Sequence, residues 1–229
     1  MREIGDWEKI VFGSRIPTNY MIWAIEAWDP SRVFIVIRHG WDRSVVYGGL
    51  KSDPSSWKLL YDGGEVLIEP IGYYDGIPYM IVYDGDGLDR IIRVTGSRVE
   101  EVVGEDKYPL RKAVIVNNRI YAEYLVDASS RLRVFDTRGR LVDEIVFDGS
   151  ATIKIMDFYG DKVLLGIESF SKPLEILVVD RSGIKNLYTS PTKLDLDIRE
   201  NWTVSSDGAR IHMFIVKGRY WGWWCICYS

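Results

Sequence analysis

The sequence predicts an all-β fold, and three observations carry that reading. Short runs rich in β-branched and aromatic residues recur along all 229 positions, turn-forming dipeptides separate them, and no segment holds an apolar stripe at the 3.6-residue period of a helix. The runs at 33–37, 79–83, 120–124 and 174–179 are the clearest. Asp-Gly steps at 62, 75, 84, 86, 148 and 207, with Asn117-Asn118 and Gly160-Asp161, supply the positive φ values that tight hairpins require.

Taken in order, the strands fall into repeated groups. The turn before the most apolar strand of each group lies near Ser31, Asp75, Asn118, Gly160 and Asp207, at steps of 44, 43, 42 and 47 residues. Repeats of that length with four strands each are the signature of propeller blades. The expected architecture is therefore a β-propeller of about five four-stranded blades in one domain spanning 1–229, with blades near 20–62, 63–104, 105–149, 150–190 and 195–229; four blades plus an extra hairpin is the alternative. In the third group the strands are 112–116, 119–126, 131–135 and 141–147, and in the fourth 152–157, 162–167, 174–179 and 184–188. The last group has 211–216 and 220–227 but no outer strand. Residues 7–12 form a spare strand that is expected to complete it and so cover an open sheet edge.

Composition excludes several classes of function. Hydrophobic residues make up 47% and aromatic residues 13%, enough apolar surface for a packed core rather than a disordered chain. Net charge is −4 with Lys and Arg scattered singly, so no basic footprint for nucleic acid is expected. The stretch 211–228 is broken by Lys217, Gly218 and Arg219 and falls short of the ~20 apolar residues of a membrane span. Acids near the start, Glu3 and Asp6, do not suit a signal peptide, and a cytoplasmic location is expected. The absence of glutamine and the scarcity of asparagine, beside 29 Lys plus Arg and 33 Asp plus Glu, match the composition of hyperthermophile proteins.

Chemistry-bearing motifs are equally sparse. Cys225 and Cys227 alternate on a strand, read as two buried thiols on one face, and with His39 and His212 as the only histidines no metal site is expected. The Asp-rich run 84–89 lacks the length and terminal Glu of a calcium loop and reads as an acidic turn. Gly48-Gly49 and Gly63-Gly64 have no following Lys-Ser or Lys-Thr and read as hairpin turns, so no cofactor is expected. Carboxylate pairs such as Glu100-Glu101 and Asp195 with Asp197 have no fixed separation and read as solvated edges. Trp28, Trp41, Tyr73 and Tyr74 are candidates for a stacking platform, against the commoner role of filling space between blades.

Two passages resemble the prolyl oligopeptidase family of serine peptidases. The run 168–176, Glu-Ser-Phe-Ser-Lys-Pro-Leu-Glu-Ile, and the run 204–216, Val-Ser-Ser-Asp-Gly-Ala-Arg-Ile-His-Met-Phe-Ile-Val, are similar in order and separation to the end of that family's propeller and the first strand of its hydrolase domain. The resemblance implies a propeller that lies against a Ser, Asp and His hydrolase in the complete family. Here it stops almost where the hydrolase begins. Gly13-Ser14, Gly96-Ser97 and Gly149-Ser150 lack the Gly-x-Ser-x-Gly frame of a nucleophile elbow, and neither histidine is set in a triad pattern. The Trp- and Cys-rich end, 220–229, departs from the family and reads either as an out-of-frame end or as a strand that seals the blade with aromatic packing.

The resulting expectation is a non-catalytic propeller, an interaction module or a peptidase relic, not an enzyme. Two alternatives are a propeller subunit assisting a separately encoded serine peptidase and a small enzyme using channel carboxylates, with Glu26, Glu69 and Lys112 pointing inward. Loops joining second and third strands share one face, which the resemblance implies once met the hydrolase. That face makes His39, Trp41, Asp42, Phe170 and Lys172 the expected contacts for a protein or peptide partner. The competing reading folds Trp41 and Phe170 down onto their own blades.

Overall fold

The computed structural model describes residues 16, 17, 19–41, 43–83, 89–147, 150–218 and, for the backbone alone, 223–228. Five antiparallel meanders follow one another along the chain. The first is β1 (Met21–Glu26), β2 (Arg32–His39), β3 (Arg43–Leu50) and β4 (Lys58–Asp62); the second is β5 (Leu67–Tyr74), β6 (Ile77–Tyr83), β7 (Arg90–Thr95) and β8 (Arg98–Val103). The third is β9 (Leu110–Val116), β10 (Arg119–Val126), β11 (Ser129–Asp136) and β12 (Leu141–Val146). The fourth is β13 (Thr152–Tyr159), β14 (Lys162–Glu168), β15 (Glu175–Asp180) and β16 (Gly183–Thr189). The fifth has three strands, β17 (Leu196–Val204), β18 (Arg210–Gly218) and β19 (Trp223–Tyr228). This is the expected all-β propeller architecture, with four four-stranded blades and a three-stranded fifth sheet. The spare strand expected at 7–12 lies outside the described residues.

The second, third and fourth blades start from the hairpins that the turn chemistry specifies. Asp75 and Gly76 adopt φ of 50° and 72°, Asn117 and Asn118 adopt 47° and 57°, and Gly160 adopts 58°, which are left-handed values that Gly, Asn and Asp reach at low cost. Asp127 and Ala128, with φ of 48° and 59°, join β10 to β11 by the same geometry without a residue that favours it. Gly48 and Gly49 lie inside β3 and are not the turn expected of them. A Cβ on Gly48 would sit 2.3 Å from the Tyr73 hydroxyl, and one on Gly49 would sit 2.7 Å from Ser56 Oγ. They are glycines because neighbouring atoms occupy the side-chain space.

The chain divides into two compact units, Met1–Glu101 and Val102–Ser229, with the boundary inside β8. In the first, Phe34, Val36, Val46, Ile68, Met80 and Val82 form a buried cluster, and Phe34 stacks on Tyr73 with centroids 4.2 Å apart. Ser44, fully buried at the start of β3, accepts the Ile68 amide at 2.6 Å through its hydroxyl and donates its own amide to Val66 O at 2.9 Å, tying the first sheet to the second. Tyr73 closes the gap between these sheets, and burial holds its phenol well above the usual tyrosine range.

In the second unit, Leu110, Ile115, Ile120, Leu132, Ile153 and Leu165 are buried, while the outer strands β12 and β16 are exposed. Adjacent sheets are stitched through polar groups. Lys112 Nζ donates to Ile155 O at 3.0 Å, and Glu123, opposite Lys112 on β10, accepts the Ile155 amide. One cross-strand pair thus satisfies both free backbone groups of Ile155 on the open edge of β13. Arg181 donates to Asn117 O at 2.9 Å, anchoring the β15–β16 turn on the β9–β10 turn. Ser130 N donates to Ala151 O at 2.8 Å.

Candidate partner-binding surface

The loops that join second and third strands carry the residues singled out by the sequence. In the first unit, His39 pairs with Arg43 across the β2–β3 hairpin, whose turn is opened by Gly40 at φ 65°. The His39 ring lies against Tyr20 with centroids 4.7 Å apart. Trp41, at the tip, is 87% exposed. At that exposure the indole is not folded down onto its own blade. Asp42 lies outside the described residues.

In the second unit, the loop from Glu168 to Glu175 is a small knot of hydrogen bonds. Ser169 N donates to Lys172 O at 2.9 Å, Lys172 N returns to Ser169 Oγ at 3.2 Å, and Leu194 N donates to Ser171 O at 2.9 Å. Lys172 Nζ bonds Glu175 Oε2 at 3.1 Å. Phe170 packs on the next sheet rather than on its own blade: its ring meets that of Phe214 edge-on at 5.4 Å, and Phe214 is itself buried against His212 at 4.7 Å. Trp202 continues the series, 4.8 Å from His212, with the Arg210 guanidinium 4.6 Å above its ring. Phe170 is half-buried by this contact and still forms part of a cavity wall.

That cavity, of 210 Å³, is bounded by the β10–β11 turn at Ala128, the approach to β13 at Ser150 and Thr152, the end of β14 at Glu168 and Ser169, and the rings of Phe170 and Phe214. Ser150 is buried and its Oγ has no hydrogen-bond partner. The sequence gives no signal for Ser150 beyond a Gly-Ser step, whereas Glu168 opens one of the two quoted runs. A larger cavity of 350 Å³ in the first unit lies under Arg32, Tyr73, Leu60 and the Gly48-Gly49 segment. Its Arg32 is engaged with Asp29 at 3.5 Å and lies 5.1 Å over the Tyr73 ring.

The residues considered for chemistry are committed elsewhere. Glu26 pairs with Lys51, Glu69 accepts from the Tyr83 hydroxyl at 3.2 Å, and Lys112 serves Ile155 as described. Glu100 bonds Arg93 at 2.7 Å and Asp197 bonds Arg199 at 2.8 Å. His212 sits between Trp202 and Phe214 with both ring nitrogens buried and unpartnered. Ser206 lies in the β17–β18 turn, closed by Gly208 N to Ser205 O at 3.0 Å. Among the described residues no group of three His, Cys, Asp or Glu side chains is placed to hold a metal ion. No described helix is long and apolar enough to cross a membrane.

No protein-family model matches the sequence, and no curated protein matches it. The fold matches solved structures of serine peptidases. A structure from a study of two prolyl endopeptidases and the role of inter-domain dynamics in their catalysis and specificity is 20% identical, with a TM-score of 0.72. Prolyl oligopeptidase B from Galerina marginata is 15% identical with a TM-score of 0.76, and oligopeptidase B from Leishmania major is 9% identical with a TM-score of 0.73. Each match covers 88% of this chain and 32% of the peptidase chain. The chain thus resembles the propeller part of prolyl oligopeptidases and spans about a third of their length. At these identities the likeness establishes the fold.

Proposed function

We propose that the chain is a non-catalytic propeller of the prolyl oligopeptidase type that engages a protein or peptide through its strand-two to strand-three loops. The observation that carries this reading is the placement of the two histidines, the whole supply of imidazole in the sequence. A triad needs a histidine hydrogen-bonded to a nucleophile on one side and a carboxylate on the other. Among the described residues His212 is packed between aromatic rings with no hydrogen-bond partner, and His39 lies against Tyr20 on an exposed hairpin. Trp41 supports the second half of the reading, since tryptophan is the residue type most enriched at interface hot spots.

Purified protein incubated with a fluorogenic panel of blocked proline- and alanine-containing peptides is expected to give no turnover above buffer, before and after Ser206→Ala. Turnover that persists through repeated purification would overturn the reading. A second reading, a propeller subunit that docks onto a separately encoded serine peptidase, is supported by the likeness to the propeller part of prolyl oligopeptidase chains. Co-purification of a hydrolase chain with the protein from its source would select it over the first. The channel-carboxylate reading loses support because Glu26, Glu69 and Lys112 already have structural partners.

A further inference from the structure

We infer that the cavity beside Phe170 is a binding site for a primary ammonium group, supplied by a peptide N-terminus or by a lysine side chain. The inference rests on the partner-binding reading and gives the Phe170 loop its first specific chemistry. Among the described residues, Glu168 is the only ionisable side chain on the cavity wall; it is exposed and forms no ion pair with any of them. Lys172, the nearest cation in sequence, is held by Glu175. The site therefore presents one uncompensated negative charge, which repels carboxylate and phosphate and attracts a cation.

The remaining wall fits the same ligand. Ser150, on the cavity wall, is 8% exposed and its buried Oγ has no partner among the described residues, leaving lone pairs that an N–H donor would satisfy. A buried hydroxyl with no partner costs on the order of a hydrogen bond, so a structure that keeps one beside an open cavity is prepared for a polar guest. Thr152 and Ser169 add hydroxyl acceptors, although Ser169 Oγ already accepts the Lys172 amide at 3.2 Å. An ammonium has three N–H donors and no acceptor, and carboxylate plus hydroxyls complement it. The rings of Phe170 and Phe214 add aromatic surface, whose π faces attract cations.

Size and donor set exclude the nearest alternatives. A volume of 210 Å³ is about seven times the roughly 30 Å³ that a water occupies in the liquid, enough for an aminoalkyl group but not for a folded segment. A calcium ion takes about 6 to 8 oxygen ligands, most often including several carboxylates, and this wall carries one carboxylate.

Binding is read by amide ¹H–¹⁵N correlation spectra of the full chain at pH 6.5, titrated with alanine amide, whose α-ammonium is free, and separately with Nα-acetyl-lysine amide. Nα-acetyl-alanine amide and Nα-acetyl-norleucine amide are the uncharged controls. Saturable shifts are expected at the amides of Ser150, Ser169 and Phe170 with one or both ammonium probes, and the probe that saturates identifies the source. Glu168→Gln is expected to weaken binding at least about tenfold, and Ser150→Ala about threefold, with dispersed spectra retained in both. No saturable shifts, equal binding of the uncharged controls, or unchanged affinity in Glu168→Gln would each overturn the site. The two proposals fail separately: peptidase turnover removes the non-catalytic reading without touching these spectra, and silent spectra remove the ammonium site without creating turnover.

Discussion

At the scale of single residues, the second unit keeps two polar groups where burial works against them. His212 has both nitrogens buried without partners, and a desolvated, unpaired polar group costs about 1–3 kcal/mol. His212→Phe keeps an aromatic ring between Trp202 and Phe214 and removes the orphaned atoms. It is expected to raise the melting temperature by about 2–4 °C, the shift expected for ~1 kcal/mol in a domain of this size. A lower melting temperature by calorimetry would mean that the imidazole has a partner that matters. Glu123 is the opposite case, a satisfied but desolvated carboxyl, and burial raises its titration above the usual glutamate range. The folded state then holds the proton more tightly than the unfolded chain. Stability is highest below the ordinary carboxylate value and declines as pH rises through the raised one. Glu123→Gln keeps an acceptor for the Ile155 amide without the charge, so its melting temperature is expected to exceed the wild type at pH 7 and to vary less between pH 4 and 7. Parallel curves for the two proteins would remove Glu123 as the cause. Neither residue announces its role in sequence, because each depends on what a neighbouring strand or sheet places above it.

At the scale of elements, turns were legible where their chemistry is local and illegible where it is not. Asp75-Gly76, Asn117-Asn118 and Gly160 take the left-handed conformations that their residue types predict. Asp127-Ala128 does not advertise its hairpin, since alanine in that conformation pays about 1–2 kcal/mol. Changing this pair to Asn-Gly is expected to stabilise the chain by about 1 kcal/mol, read as a higher denaturant midpoint with an unchanged slope. An unchanged or lower midpoint would show that the strain is relieved elsewhere. Gly48-Gly49 erred in the other direction: the local signal said turn, and contacts with Tyr73 and Ser56 made them strand residues. The open edge of β13 gives a further test of the element scale. Lys112→Met keeps the aliphatic stem and abandons Ile155 O, and it is expected to cost about 1–2 kcal/mol. A loss below about 0.5 kcal/mol would imply that the carbonyl finds water. Among the candidate contacts, Trp41 is exposed at the tip of its hairpin, whereas Phe170 is half-buried against Phe214, 44 residues further along the chain in β18.

At the scale of the whole molecule, periodicity carried the most information because each blade repeats a local meander, and local order is what a sequence records best. The same scale holds the composition argument for thermal tolerance. The chain has no glutamine, few asparagines and 27% charged residues, and many of the charges are engaged in pairs or networks. Arg133 illustrates the pattern, donating to Asp106 at 2.8 Å and Glu144 at 2.9 Å while its guanidinium lies 4.6 Å over the Tyr124 ring. Isolated surface pairs contribute little at room temperature, but the penalty for removing charges from water falls as temperature rises, so networks gain relative weight on heating. The expected outcome is a calorimetric midpoint above about 90 °C, the range reserved for hyperstable domains. Arg133→Met, which keeps much of the stem over Tyr124, is expected to lower that midpoint more than it lowers the urea midpoint at 25 °C. A wild-type midpoint in the mesophile range of about 45–65 °C would instead assign the charge bias to solubility, leaving the ion pairs as surface decoration with no thermal role.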